Sequence, residues 1–284
     1  MPGNATLQVV PVCVEPTGGA PPTELEQPLA AHNISTPQVT FSIAQHASTA
    51  KSLDLTWRKC RLNAAVAGRR LKFVSARESV AVVVAHPDDE TLWAGGTLLM
   101  QRSWQPFVAS ACRASDTDRA PKFFAVLELL GAHGKMADLD DAPAQAPLAD
   151  ELVEQAVLNA LPERQYDRIL THSPQGEYTR HRRHEEVSRA VLRLWARGEL
   201  SAPEVWLFAY EDGEGKASPR AISGAHIINE LPFDIWRQKK RLLIDGYGFP
   251  PESWEARVTP QREAFFCVRS QAEAEAWLGR KQAP

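Results

Sequence analysis

Residues 80–90 read VAVVVAHPDDE. An unbroken apolar run from Val80 to Ala85 ends abruptly in a histidine, a proline and the consecutive acids Asp88, Asp89 and Glu90. No polar residue interrupts the run, so neither face of this strand is built to meet water. That is the pattern of a strand in a parallel sheet with helices on both sides.

The flanking sequence supports this. Residues 91–103 carry a helical pattern, 107–112 a second strand, and 119–130 a helix with Pro121 in its first turn and Gly131 as its stop. Helices are expected over 148–161, 182–197 (strongly amphipathic, stopped by Gly198), 233–246 and 272–280. Strands are expected over 168–172, 205–210 and 264–268. Strands alternating with helices predict an α/β fold, a Rossmann-like and mostly parallel sheet covered on both faces. It fills a single catalytic domain over residues 76–284. Ligands in such sheets sit beyond the carboxyl ends of the strands. Both the 86–90 loop and Thr171-His172-Ser173 fall there, so the two loops are expected to face one crevice.

Residues 1–75 read as an N-terminal extension. The first 50 or so hold Pro11, Pro16, Pro21, Pro22, Pro28 and Pro37 and few large apolar residues, the composition of a loosely structured segment with at most a short strand over 7–14. Residues 51–75 are basic and partly helical in pattern through Trp57, Cys60, Ala64 and Ala67. Removal of the first 50 residues is expected to leave activity largely intact.

The chain has 284 residues, 44% hydrophobic and 24% charged, with a net charge of −3. Those values fit a globular protein and argue against nucleic acid as a partner. No apolar run is long enough for a membrane span, and no basic stretch precedes an apolar core at the N-terminus, so a cytoplasmic location is expected. Cys13, Cys60, Cys112 and Cys267 form no CxxC pair, which leaves reduced thiols as the expectation.

The acids raise a chemical question. Three adjacent carboxylates repel one another unless a cation sits among them, and zinc accepts imidazole nitrogen and carboxylate oxygen together. If Asp89 turns toward a metal with His86, Asp88 can face the substrate side without being a ligand. A third ligand is expected from Thr179-Arg180-His181-Arg182-Arg183-His184, whose two histidines, three apart at a helix start, share a face. One of them could ligate and the other reach the reacting group. The HExxH spacing is absent, and no GxGxxG follows the first strand, which argues against a zincin protease and against a dinucleotide enzyme.

His86-Pro87-Asp88-Asp89-Glu90, followed by Gly95-Gly96, resembles the opening motif of the PIG-L/LmbE-like zinc-dependent N-acetylglucosaminyl deacetylases. Thr171-His172-Ser173-Pro174-Gln175-Gly176-Glu177-Tyr178, leading into His181 and His184, resembles that family's second motif. The resemblance covers residues from about 78 to 210. It implies a metal-dependent hydrolase that removes an N-acetyl or other N-acyl group from an amino sugar or a small-molecule amino-sugar conjugate. His86, Asp89 and His184 would bind Zn2+, or another divalent metal such as Fe2+. Asp88 would be the general base, and His181 a positive group at the amide oxygen or an aid to the leaving amine. Arg119, Tyr178 and Arg180 would contact substrate. An amidase acting on a non-sugar N-acyl amine and a non-catalytic sugar-binding protein of the same fold are the competing readings.

The chain departs from the family pattern in two places. One extra residue precedes His181, and Arg182-Arg183 stand where Pro-Asp is usual. Lys122 stands where a Glu is usual after Arg119, which points toward an anionic substrate. Arg180, Arg182 and Arg183 flank the site and are read as binding phosphate or carboxylate on the substrate or as solvated helix-start charges, and Asp138, Asp140 and Asp141 as loop residues within reach of sugar hydroxyls. Trp236, Tyr247, Phe249 and Trp254 are read as core packing or as sugar-stacking faces.

Overall fold

The computed structural model describes residues 77–178, 180–211 and 218–280. The expectations for residues 1–75 lie outside the described residues.

Strand β1 (Glu78–Val84) leads into helix α1 (Asp89–Met100), followed by β2 (Trp104–Cys112), α2 (Arg119–Leu130), β3 (His133–Leu139) and α3 (Asp150–Ala160). Then come β4 (Arg168–Thr171), α4 (Arg182–Ala196), β5 (Val205–Phe208), β6 (Ile227–Glu230) and α5 (Phe233–Arg241). A π-helical turn (Leu242–Gly246), α6 (Trp254–Val258), β7 (Arg262–Val268) and α7 (Gln271–Gly279) complete the order. The seven strands form one sheet in the order β3-β2-β1-β4-β5-β7-β6. The first five are parallel, while β7 runs antiparallel to both β5 and β6.

The apolar run of β1 now has its reason. Val80, Val82 and Val84 point into one core with Trp93, Phe123 and Leu127, whereas Ala81, Val83 and Ala85 point into the other with Val157, Val187 and Val191. Side chains alternate faces along a strand, so a strand with helices on both sides must be apolar throughout. Helices α1 and α2 cover the first face; α3, α4 and α7 cover the second.

The glycine pair of α1 is a packing feature. A Cβ on Gly96 would stand 2.3 Å from Leu231 Cδ1, and the Gly96 N–H donates to Glu263 on β7 at 2.8 Å. Glu263 in turn pairs with fully buried Lys239 of α5 at 2.7 Å. These contacts tie α1, α5 and the antiparallel end of the sheet together.

Several elements differ from expectation. β3 and β6 were not foreseen: both are edge or near-edge strands whose burial alternates with exposed polar residues, as in HGKMADL and IINE. The expected helix over 233–246 ends as an α-helix at Arg241 and closes in the π-helical turn. Among the described residues, no helix is long and apolar enough to cross a membrane.

The sheet order reverses direction between β1 and β4. These two strands are neighbours, with Val83 opposite Thr171, although 88 residues separate them. This is the topological switch point where α/β sheets open a crevice at their carboxyl edge, and the 86–90 and 172–178 loops leave from it.

Candidate metal centre

The loop after β1 is tightly held. Asp88 has φ 122 and ψ −28, a conformation rare outside glycine and one that stores about 1–3 kcal/mol of strain. Its N–H donates to Glu90 Oε2 at 3.1 Å, and its carbonyl accepts from the Thr91 and Leu92 N–H groups. The twist sends Asp88 and Asp89 to different sides. Glu90 faces neither: it is fully buried, accepts from the Tyr247 hydroxyl at 2.7 Å, and its carboxyl is raised by burial.

Asp89 turns inward with two histidines. His86 Nδ1 lies 3.2 Å from Asp89 Oδ2 and 3.1 Å from His184 Nε2, and His184 Nε2 lies 3.3 Å from the same carboxylate oxygen. Ligand atoms about 2.0–2.1 Å from a tetrahedral ion are roughly 3.3 Å apart. The triangle therefore has the edge lengths that a divalent metal demands.

The far nitrogens are engaged as in metal-binding histidines. His86 Nε2 faces Asp141 Oδ1 at 3.1 Å, and His184 Nδ1 faces Glu177 Oε1 at 2.7 Å. Such carboxylates fix the tautomer and orient the ring. Burial opposes the ionised form of Glu177, but the His172 and His184 imidazoles outweigh it and hold the carboxyl at about 2. Burial likewise opposes ionisation of Asp141, and His86 and Arg113 bring it to about 2.

Three imidazoles surround Asp89, and one of them belongs to a different role. His172 Nε2 also lies 3.5 Å from Asp89 Oδ2, so Asp89, His172 and His184 form a second possible triangle. However, His172 Nε2 accepts the Ala85 N–H at 2.9 Å, and its Nδ1 faces Glu177 at 2.7 Å. With both nitrogens used, His172 locks the end of β1 to the loop after β4, which leaves His86, Asp89 and His184 as the candidate ligand set.

His86 has a testable protonation state. Burial lowers its pKa, but hydrogen bonds to Asp141 and Asp89 overcome this and raise it to about 10. Without a cation the imidazole therefore keeps a proton at neutral pH, and a metal must displace it. Zinc binding to chelator-treated protein at pH 7 is expected to release about one proton. Because that proton is bound below pH 10 and absent above it, apparent affinity should rise with pH across the neutral range. Calorimetry in buffers of different ionisation enthalpy checks both statements; a buffer-independent enthalpy would refute them.

Asp88 is on the outer side of the triangle. Its Oδ2 accepts from Arg119 Nη1 at 3.0 Å, and the Arg119 guanidinium lies 4.3 Å from the Phe249 ring centroid. Burial and neighbouring Asp89 push the Asp88 carboxyl well up, while Arg119 and His86 oppose them. Asp88, Asp89, His86 and Arg119 line a cavity of about 380 Å³ together with Pro87, Leu92, Trp93, Arg113, Asp141, His181, His184, Trp254 and Glu255.

His181 stands at the rim, its ring 4.7 Å from His86 and 4.6 Å from His184. Burial, then the charge on His184 and His86, lowers it to about 4. These neighbours oppose a positive charge on His181, so an N–H is what it offers a ligand in the cavity. An outer cavity of about 620 Å³ continues past His181, lined by Pro143, Gln145, Arg180, Arg182 and Glu185.

The substrate contacts expected from sequence separate here. Arg119 lines the inner cavity, whereas Arg180 lines only the outer one and pairs with Glu185 at 3.2 Å. Tyr178 does neither: it is 1% exposed, with its ring packed between Trp93 and Trp254, so it backs the wall and leaves contact to those two. Lys122 pairs with Asp118 at 2.8 Å and is absent from the cavity lining. Asp138, on β3 and not in a loop, accepts the Ser115 N–H, and Asp140 accepts the Ala142 N–H.

Arg183 is a second correction. Far from being solvated, it is fully buried, and donates to the Asp140 carbonyl, the Ala146 carbonyl and Glu186. It staples the loop that carries Asp141 to the helix that carries His184. Arg183→Met keeps the apolar stem but strands those acceptors. It is expected to destabilise the protein by about 2–4 kcal/mol and to weaken zinc binding about 10–100-fold through Asp141. Urea unfolding and zinc titration measure the two effects, and unchanged affinity would remove Arg183 from the support of the site.

The structure resembles N,N'-diacetylchitobiose deacetylase from Pyrococcus horikoshii, with a TM-score of 0.51 and 16% identity over 68% of this chain and 84% of that one. It also matches a deacetylase of the teicoplanin biosynthetic pathway, with a TM-score of 0.49, 16% identity, and coverage of 68% of this chain and 98% of that one. A third match is 4-carboxy-2-hydroxymuconate hydratase from Pseudomonas putida, with a TM-score of 0.46, 15% identity, and coverage of 67% and 96%. By sequence the chain is 22% identical over 144 residues to an uncharacterized protein of Acanthamoeba polyphaga mimivirus, a match covering 46% of this chain and 61% of that relative. The chain thus spans about three fifths of that relative's length. No protein-family model matches the chain. The fold is that of the Pyrococcus deacetylase.

Proposed function

We propose that the protein is a zinc-dependent N-deacetylase that hydrolyses the N-acetyl amide of an amino sugar or its conjugate. The observation that carries the reading is the His86–Asp89–His184 triangle with a second carboxylate, Asp88, beside it but outside it. A metal-binding or structural site needs the triangle alone. A hydrolase needs in addition a base that the metal does not consume. The diacetylchitobiose deacetylase of the same fold supports the choice of an N-acetylated sugar.

His86, Asp89 and His184 would hold the ion, which supplies Lewis-acid activation of the amide carbonyl and of the attacking water. Asp88, held by Arg119 and kept ionised by the charge the bound ion would place beside it, accepts the proton of that water as its oxygen bonds to the carbonyl carbon. His181 donates an N–H to the carbonyl oxygen as negative charge builds there. Asp88 then passes its proton to the amide nitrogen, the C–N bond breaks, and acetate and the free amine leave. Leu92, Trp93 and Trp254 give the inner cavity an apolar wall against the substrate. The outer cavity, with Arg180 and Arg182, takes the rest of the conjugate.

The test is acetate release from a panel of N-acetylglucosamine compounds by protein stripped of metal and reloaded with Zn2+ or with Fe2+. Release that returns with one metal and disappears with chelator supports the reading and identifies the metal. A protein that binds one equivalent of zinc and releases acetate from none of the panel overturns it.

A further inference from the structure

Residues 242–249 carry no motif, yet two of their side chains reach Asp88 by separate routes. Helix α5 runs into the π-helical turn, after which the Tyr247 N–H donates to the Leu242 carbonyl at 2.9 Å and the Phe249 N–H to the Leu243 carbonyl at 3.1 Å. A Cβ on Gly246 would stand 2.6 Å from Val126 Cγ2, so the turn is seated directly on α2. The backbone at Tyr247 and Phe249 is thereby fixed.

The first route runs through Glu90. The buried Tyr247 hydroxyl donates to Glu90 Oε1 at 2.7 Å, and Glu90 Oε2 accepts the Asp88 N–H at 3.1 Å. The second runs through Arg119. Its guanidinium lies 4.3 Å from the Phe249 ring centroid, and its Nη1 donates to Asp88 Oδ2 at 3.0 Å. One route grips the backbone of a residue at φ 122; the other grips its carboxylate. A residue in so sparsely populated a conformation persists only where its surroundings over-determine it.

We infer that Tyr247 and Phe249 are positioning residues for Asp88, setting the angle at which its carboxylate meets the substrate. The inference rests on the reading of Asp88 as the proton acceptor. Core packing alone does not account for the arrangement, since it requires neither a hydroxyl aimed at a carboxylate nor an aromatic face under a guanidinium. The two routes act on different atoms of one residue, so each should matter only while Asp88 has its carboxylate.

The experiment is a double-mutant cycle on the full-length zinc-loaded protein. Tyr247→Phe removes one hydroxyl and is expected to lower kcat on an N-acetylglucosamine substrate about 10–100-fold, with KM and zinc affinity within about twofold of wild type. In an Asp88→Asn background the same change should lower the residual rate no further. Equal losses in both backgrounds, or an unchanged kcat, would overturn the inference. Phe249→Leu, carried through the same cycle, tests the second route and serves if Tyr247→Phe does not fold. Crystal structures of wild type and Tyr247→Phe give a readout without turnover: Asp88 should leave its positive φ or its Arg119 contact in the variant. If the wild type releases no acetate, the deacetylase reading fails by itself. The crystal comparison then decides the positioning role, and an Asp88 that stays in place in Tyr247→Phe would overturn it.

Discussion

Asp88→Asn lowers turnover of an N-acetylated amino sugar by about 10²–10⁴-fold, the usual contribution of a general base, and leaves zinc bound. Both halves of that expectation come from geometry. The Asp88 carboxylate is committed to Arg119 at 3.0 Å, and the three atoms of the ligand triangle belong to other residues. Asparagine is also an unusually clean replacement here. It matches aspartate in shape, its side-chain oxygen still accepts from Arg119, and it is one of the few residue types that tolerate positive φ. What is lost is the ability to take a proton. Initial rates with metal content measured on the same samples decide the matter. A variant within about threefold of wild type would exclude Asp88 as the base, and loss of both zinc and activity would make it a ligand.

The sequence reading succeeded where local pattern and tertiary environment coincide. An apolar run ending in HPDDE reads as a buried strand delivering polar groups to an edge, and the 181–184 spacing brings two histidines together at a helix start, although His181 is the extended N-cap of α4 and not part of its first turn. It fell short where the controlling contact is nonlocal. Asp141 was read among loop acids because β3 has few apolar residues and went unrecognised; once β3 is a strand, Asp141 stands just past its carboxyl end, where a ligand partner belongs. Glu177 and His172 sat within the second motif without a role, since only the pairing of β1 with β4 brings them against His184 and Ala85. Arg183 reads as a surface charge in any helical projection, and is buried because the 140–146 loop folds over it. Tyr247 and Phe249 lie 157 and 130 residues from the acid and the arginine they support (247 − 90 and 249 − 119), a distance no local pattern spans.

The larger effect on metal binding belongs to Asp89. Its Oδ2 meets His86 Nδ1 at 3.2 Å and His184 Nε2 at 3.3 Å, and also accepts the His86 N–H at 2.8 Å. Burial opposes its charged form, but the imidazoles of His184, His172 and His86 hold its carboxyl far below the usual range. Asp89→Asn removes the one negative charge among the three ligands, and should reduce zinc affinity by well over the roughly 10–100-fold that loss of an outer partner costs. Glu177→Gln is the comparison that gives this meaning. It leaves all three ligands in place and weakens only the grip on His184 and His172, so its effect should stay within that range. His172→Gln separates the two triangles. If His86 is the third ligand, the variant loses its lock on Ala85 and some stability but still binds one equivalent of zinc. If His172 were the ligand, its loss would match that of Asp89→Asn, and His86→Gln would bind almost as wild type does. Competitive zinc titration of the four variants therefore orders the site from its own donors, independently of any substrate. The expected order of loss is Asp89→Asn and His86→Gln first, followed by Glu177→Gln and His172→Gln.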